Sequence, residues 1–166
     1  TTQDILVTVR ALQINESLKL LGQRLARIVS AVAKLADEHR HTVMPARAFG
    51  GHGGVTTFGL HCATWLSSLV RDADRLVELT CRPVAGELFG ATGTMASLGS
   101  QGLLVQQRMM ARLGLPEPLA SASGARDAAV EVVLYLALLV GTLGKAAQDI
   151  SQLTWTEIGE AAEPAM

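Results

Sequence analysis

Arg47 and His52 flank or sit within a run of four glycines, Gly50, Gly51, Gly53 and Gly54, inside the stretch Val43–Leu60. Glycine adopts backbone angles that a Cβ forbids and lets another group approach the main chain closely. Thr56-Thr57 follow, at a position suited to capping a helix. One reading is a plain connection between helices. The other is a loop facing a substrate, and it is favoured because a helix–helix connection rarely needs so many glycines. A second such stretch, Gly90-Ala91-Thr92-Gly93-Thr94, could cradle a carboxylate with backbone N–H groups or simply kink the chain. Acids gather late in the chain, at Glu157, Glu160 and Glu163. Lys145 and Asp149 lie one helical turn apart and suit a local ion pair with a structural role. Cys62 and Cys81 have no metal-type spacing and read as two buried thiols of a cytoplasmic protein.

These groups need long helices to hold them. Thr1 and Asp4 form a Ser/Thr-x-x-acid helix start. The pattern continues without Pro to His39. Ile14, Leu18, Leu21, Leu25, Ile28, Val32 and Leu35 make a heptad seam that calls for lengthwise packing. A second helix is expected from Thr56 to Arg82, with Arg71, Asp72, Asp74, Arg75 and Glu78 on its exposed half. A third is expected from Leu98 to Leu113, and a fourth from Ala125 to Leu153. The fourth is apolar on nearly every side between Val132 and Leu143, which places it centrally in a bundle. No strand signal is visible, so the fold class is all-α: a bundle of long helices.

Composition narrows the functions. Of the 166 residues, 49% are hydrophobic and 14 Lys and Arg balance 15 acids, so no basic face for a nucleic acid is expected. The most apolar run, Val132–Gly144, is shorter than the roughly 20 residues that span a bilayer. The first 15 residues lack the pattern of a signal peptide. A soluble, cytoplasmic protein is expected, with neither membrane nor nucleic acid as a partner.

Thr42-Val43-Met44-Pro45-Ala46-Arg47 followed by Thr56-Thr57-Phe58-Gly59 resembles the second conserved region of the fumarase/aspartase superfamily. Thr2-Gln3-Asp4-Ile5 with Thr8 resembles its first region. The runs Gly144–Ile150, Thr156–Glu160 and Glu163-Pro164 resemble the end of its central helical domain. Thr1–Asp4, Ala91–Thr94 and the stretch from Asp149 to Pro164 are most similar to the 3-carboxy-cis,cis-muconate cycloisomerase group. The resemblance implies residues 1–166 as a central bundle domain, a piece of a longer subunit that continues on both sides. It implies a homotetramer with shared active sites, a small polycarboxylate substrate, and neither metal nor organic cofactor.

The reaction implied is reversible lactonisation of carboxymuconate, as in protocatechuate degradation and the β-ketoadipate route. The alternatives are a lyase releasing fumarate from a succinyl compound such as adenylosuccinate, and a non-catalytic helical assembly module. Thr1, Thr2, Gln3, Arg47, Phe49, His52 and Thr92 are the implied substrate-binding residues. For Thr1, Thr2 and Gln3, ordinary helix capping is the better reading from the residues alone. Glu160 or Glu163 is the acid implied to face the second-region loop. No catalytic residue is implied within these residues. The presumed base, a Ser in a Gly-Ser-Ser loop, falls beyond Met166, so the 166-residue piece is expected to be inactive alone. Four positions depart from the lyase pattern: Val7 for Asp, Ala48 for Thr, Phe49 for His and Gly51 for Gln. The aromatic Phe49 matches the cycloisomerase group.

Overall fold

The computed structural model describes residues 1–122 and 124–163. The presumed Ser loop and Pro164 of the Glu163-Pro164 motif lie outside them. Four α-helices dominate: α1 (Thr2–Glu38), α2 (Phe58–Thr80), α3 (Gly102–Leu113) and α4 (Asp127–Leu153). The helix bounds differ from the sequence expectation by a few residues. The third helix differs most, because a 3-10 stretch, Ala96–Gln101, precedes it. Gly99 breaks that stretch with a positive φ of 58°.

The expectation of no strand is corrected. Val43–Ala48 (β1) and Gly51–Thr57 (β2) form an antiparallel hairpin. Phe49-Gly50 is its two-residue turn, with φ of 52° and 78°, the pair of positive values that a type I′ turn needs. Glycines in β2 hid the strand, because they weaken the alternation by which strands are read. Arg47 pairs with His52 and Ala46 with Gly54, so Gly53 is the extra residue of a bulge. The hairpin is an insert between helices, and the class remains all-α.

The chain divides into two compact units. The first contains Thr1–Arg24 and Arg75–Leu134. Its apolar centre is Ala11, Met110 and Leu115, with Leu12, Val84 and Met109 packed around it. Side chains of α1 also grip the extended segment after α2. Asn15 donates to the Val84 carbonyl and accepts its N–H, both at 2.9 Å. Thr8 does the same for Glu87, at 3.0 and 2.9 Å. Such reciprocal pairs satisfy backbone groups that no strand partner reaches.

The second unit contains Leu25–Asp74 and the chain from Tyr135 on. Cys62, Trp65 and Leu69 are the buried stripe of α2 there. Asp72, expected on the exposed half, is a correction: it is buried on the same stripe at 3–4 spacing, and its carbonyl accepts the Tyr135 hydroxyl at 3.1 Å. The ends of α1 and α2 meet closely at Gly59, where a Cβ would stand 2.5 Å from Arg40 Cα. Gly59 N–H donates to the His39 carbonyl and Phe58 N–H to that of Thr42, both at 2.9 Å.

One further expectation changes, and two apolar faces stand open within the single chain. Cys62 is buried but Cys81 is exposed. The heptad seam is fully buried only at Leu18 and Leu25, with Ile28 and Leu35 exposed. In α4, Val132, Tyr135 and Leu139 are buried, whereas Val133, Leu134 and Val140 are more than 60% exposed. Within one chain, α4 is therefore not surrounded. By length and composition alone α4 is long and apolar enough to cross a membrane, which the shorter run counted in the sequence did not reveal.

Candidate functional site

The hairpin carries most of the expected site residues of the second unit. Arg47 extends from β1 and makes a two-pronged ion pair with Glu160: Nη1 to Oε2 at 2.8 Å and Nη2 to Oε1 at 2.6 Å. Planar fork-to-fork geometry of this kind is the strong form of an ion pair. It holds the Glu160 carboxyl below the ordinary range and the Arg47 guanidinium above its own. A guanidinium has five N–H donors, so the pair leaves about three for another ligand. His52 lies opposite Arg47 in the hairpin register. Phe49 is fully exposed at the tip, and its ring is not part of the cleft below. Glu163 is exposed.

Beside the hairpin is a cleft of about 390 Å³ lined by Arg47, Thr56, His61, Thr64, Lys145 and Asp149 among others. Asp149 Oδ2 is its node. It accepts the Trp65 indole N–H at 2.6 Å and an ammonium proton of Lys145. Burial pushes the Asp149 carboxyl up, but these donors outweigh it and leave it below the ordinary range. His61 stacks edge-on against Trp65, and its Nε2 is 3.5 Å from the same oxygen. That Nε2 is buried and makes no hydrogen bond among the described residues. Burial lowers the His61 pKa against the pull of Asp149, which favours the neutral ring. The two cations of the cleft are thus each matched by an acid. An anion entering it meets donors but no uncompensated charge.

The expected residues of the first unit lie at the start of α1 and in the loop from Phe89 to Met95. Asp4 is 3% exposed. Its Oδ1 accepts the N–H groups of Phe89 at 2.9 Å and Gly90 at 3.2 Å. Its Oδ2 accepts the Thr1 hydroxyl at 3.2 Å and the Thr1 nitrogen. Burial raises its pKa, and the Phe89 and Gly90 N–H groups and the Thr1 hydroxyl oppose that rise. Of the loop's backbone donors, the Gly90 N–H is thus taken by the chain's own Asp4. The Thr1 hydroxyl spends its single proton on Asp4 and has none for a substrate oxygen. Thr2, Gln3 and Thr92 are exposed, and the Thr92 and Thr94 hydroxyls are 3.0 Å apart. One of those two protons bridges the pair and the other is available.

Asp4 and Thr8 were visible only as a helix start and a motif member, and their long-range role has no local sequence signal. His61 and Trp65 were not singled out at all. The 3–4 spacing of Cys62, Trp65 and Leu69 could have marked Trp65 as buried and in need of an acceptor. Among the described residues no three His, Cys, Asp or Glu side chains are grouped to hold a metal ion.

A family model described as a lyase matches residues 1–165. The chain belongs to this lyase family. With it comes the fumarase/aspartase superfamily that the motifs resemble. Trans-aconitate decarboxylase 1 of Mycosarcoma maydis is 40% identical over 164 residues, 99% of this chain and 33% of that protein. The 3-carboxy-cis,cis-muconate cycloisomerase of Bradyrhizobium diazoefficiens is 38% identical over 165 residues, 99% of this chain and 37% of that one. Adenylosuccinate lyase of Pyrococcus horikoshii is 37% identical over the same shares. The solved fumarate lyase of Mesorhizobium sp. BNC1 superposes with a TM-score of 0.93 at 46% identity, covering 99% of this chain and 39% of that one. This lyase-family chain spans about a third of the length of the curated relatives it matches.

Proposed function

We propose that the full-length protein is an enzyme that closes a lactone on a tricarboxylate of the 3-carboxymuconate type, reversibly. In the closing direction a carboxylate oxygen of the substrate bonds to the carbon β to another carboxylate. The alkene electron pair moves into that second carboxylate, giving an aci-carboxylate, and a proton is then delivered to the α carbon. The site's task is to hold the extra negative charge as it forms, with hydroxyls, amides and cations already in place. Thr2, Gln3 and Thr92 of the first unit are suited to that where they lie, and separately so are His52 and the free N–H groups of Arg47 in the second. Glu160 holds the Arg47 fork in one orientation. The base belongs to the part of the protein beyond these residues, so residues 1–166 alone turn nothing over. No metal or organic cofactor takes part.

The observation that carries this reading is Phe49 at the hairpin tip: the resemblance puts a His there in lyases that expel an amine, and a phenyl ring has no proton to donate. A lactonising enzyme needs less help there, because the carboxylate it displaces in reverse is already a stable anion. The names of two similar proteins, at 40% and 38% identity, also point to tricarboxylates, trans-aconitate and carboxymuconate. A fumarate-releasing lyase is the second reading, because adenylosuccinate lyase stands at 37% identity over the same span. Assembly is part of the proposal. The exposed Val133, Leu134 and Val140 of α4 and the open half of the α1 seam suit a homotetramer built on these helices. A soluble enzyme of the cytoplasm is the setting we infer.

The test is one assay panel on the full-length protein: 3-carboxymuconate, trans-aconitate, adenylosuccinate and argininosuccinate. Lactone formation from carboxymuconate, without fumarate from the succinyl compounds, is the expected result. Fumarate release without lactone overturns it in favour of the second reading. Inactivity on all four points instead to a helical assembly module.

A further inference from the structure

The loop from Phe89 to Met95 is closed at its base and open at its apex. Met95 N–H donates to the Phe89 carbonyl at 2.8 Å. Gly90 and Gly93 turn the chain with φ of 80° and 76°. Thr92 stands between them, exposed. Both N–H groups at the base, Phe89 and Gly90, donate to Asp4. Thr8 and Asn15, further along α1, hold Glu87 and Val84 upstream of the loop. The loop itself is reached from α1 by Asp4, the acid that also fixes Thr1.

We propose that Asp4 is a positioning residue: its buried carboxylate sets the spacing between Thr2-Gln3 at the start of α1 and the Thr92 loop, so that both address one carboxylate of the substrate. This rests on the proposed function, in which these exposed groups bind substrate. The chemistry favours an ionised acid at this place. Donors from two segments converge on two oxygens, and a carboxylate accepts on both, whereas an amide of the same size would turn its NH₂ toward N–H groups on one side. The same arrangement explains why the loop's base amides do not bind substrate themselves. Substrate then meets hydroxyl and side-chain amide donors, whose positions follow from where Asp4 pins the loop.

The test compares Asp4→Asn, Thr8→Val and Gly93→Ala in the full-length protein, in two arms. Thr8→Val cuts the neighbouring anchor on the same segment. Gly93→Ala displaces the apex, because its Cβ would stand 3.2 Å from Ser121 Cβ at a φ of 76°, and leaves Asp4 alone. In the first arm, amide exchange without substrate should speed up about tenfold at Phe89, Gly90 and Met95 in Asp4→Asn, with Val84 and Glu87 unchanged. Thr8→Val should give the reverse pattern. Uniform loosening, or an unchanged loop, overturns the proposal whatever the substrate is. In the second arm, on whichever tricarboxylate the wild type turns over, Asp4→Asn should raise KM by about tenfold or more, the size of one charged hydrogen bond, with kcat nearly kept. Thr8→Val should leave KM unchanged. A merely structural role would lower the active fraction and leave KM alone, and that result overturns it too. If Asp4→Asn does not fold, Gly93→Ala decides: an unchanged KM there sinks the idea that loop position matters. A wild type inactive on every substrate sinks the proposed function, and the substrate half of this proposal with it. The exchange arm still decides whether Asp4 sets the loop.

Discussion

The two units each place a carboxylate at the centre of a polar contact, and they use it in opposite ways. Asp4 in the first unit is buried, and most of its donors are neutral backbone and hydroxyl groups. Glu160 in the second is a quarter exposed and meets a full positive charge on Arg47. Electrostatic intuition ranks the second as stronger. Solvation reverses the ranking. Removing Asp4 would strand the buried Phe89 N–H where water cannot replace the carboxylate, whereas water can solvate Arg47 if Glu160 is lost. Asp149 stands between them, half-buried, with one ammonium and one indole N–H.

That ranking can be broken by measurement. Asp4→Ala should have the largest effect, lowering unfolding free energy by about 2–4 kcal/mol in urea titrations, since it orphans two backbone N–H groups. Asp149→Ala should come next at about 1–3 kcal/mol, because the buried Trp65 N–H loses its acceptor. Asp149→Asn, which keeps an acceptor for Trp65, should recover part of that loss. Arg47→Ala and Glu160→Gln should change the urea midpoint least, and what change there is should fade in high salt. A larger loss from Glu160→Gln than from Asp4→Ala would invert the comparison.

Acid should separate the same groups in order. His61 has a folded pKa below its unfolded value, so protons bind the unfolded chain better. Its contribution is complete above about pH 6.5 and is lost as pH falls from there through the lowered folded value. Asp149 and Glu160 also have lowered folded values. Their contributions hold above the ordinary carboxylate range and are lost as pH falls through and below it. Stability should therefore fall in two stages on acidification. His61→Gln should remove the first stage, read by denaturation midpoints at closely spaced pH values. A single stage in the wild type would show that His61 is not desolvated.

What was legible in the sequence was what local spacing dictates. The four helices followed from apolar periodicity, and Lys145 and Asp149 pair as their one-turn separation requires. The hairpin was not legible, because Gly51, Gly53 and Gly54 leave β2 almost no side-chain alternation to read. Asp72 looked exposed because it is charged, although it falls on the buried 3–4 stripe with Trp65, Leu69 and Leu76. The grip of Asp4, Thr8 and Asn15 on residues 84–90 joins positions about 70 to 85 apart in the chain, and periodicity carries no such information. The resemblance set Glu160 or Glu163 facing the second-region loop that carries Arg47, without saying which acid or which partner. The pairing of Arg47 with Glu160 needed coordinates.

Phe49 gives the hairpin a different kind of significance. A bulky residue in the left-handed region is disfavoured by its backbone, and this one gains nothing from burial to offset that. Asn or Gly would suit the turn better, so Phe49→Asn should raise the melting temperature slightly. The tip is a position where the fold is nearly indifferent, or mildly averse, to its occupant. Such a position can be exchanged during divergence without re-engineering the helices beneath it. An exposed corner with that freedom can take single substitutions while the buried contacts beneath it stay in place.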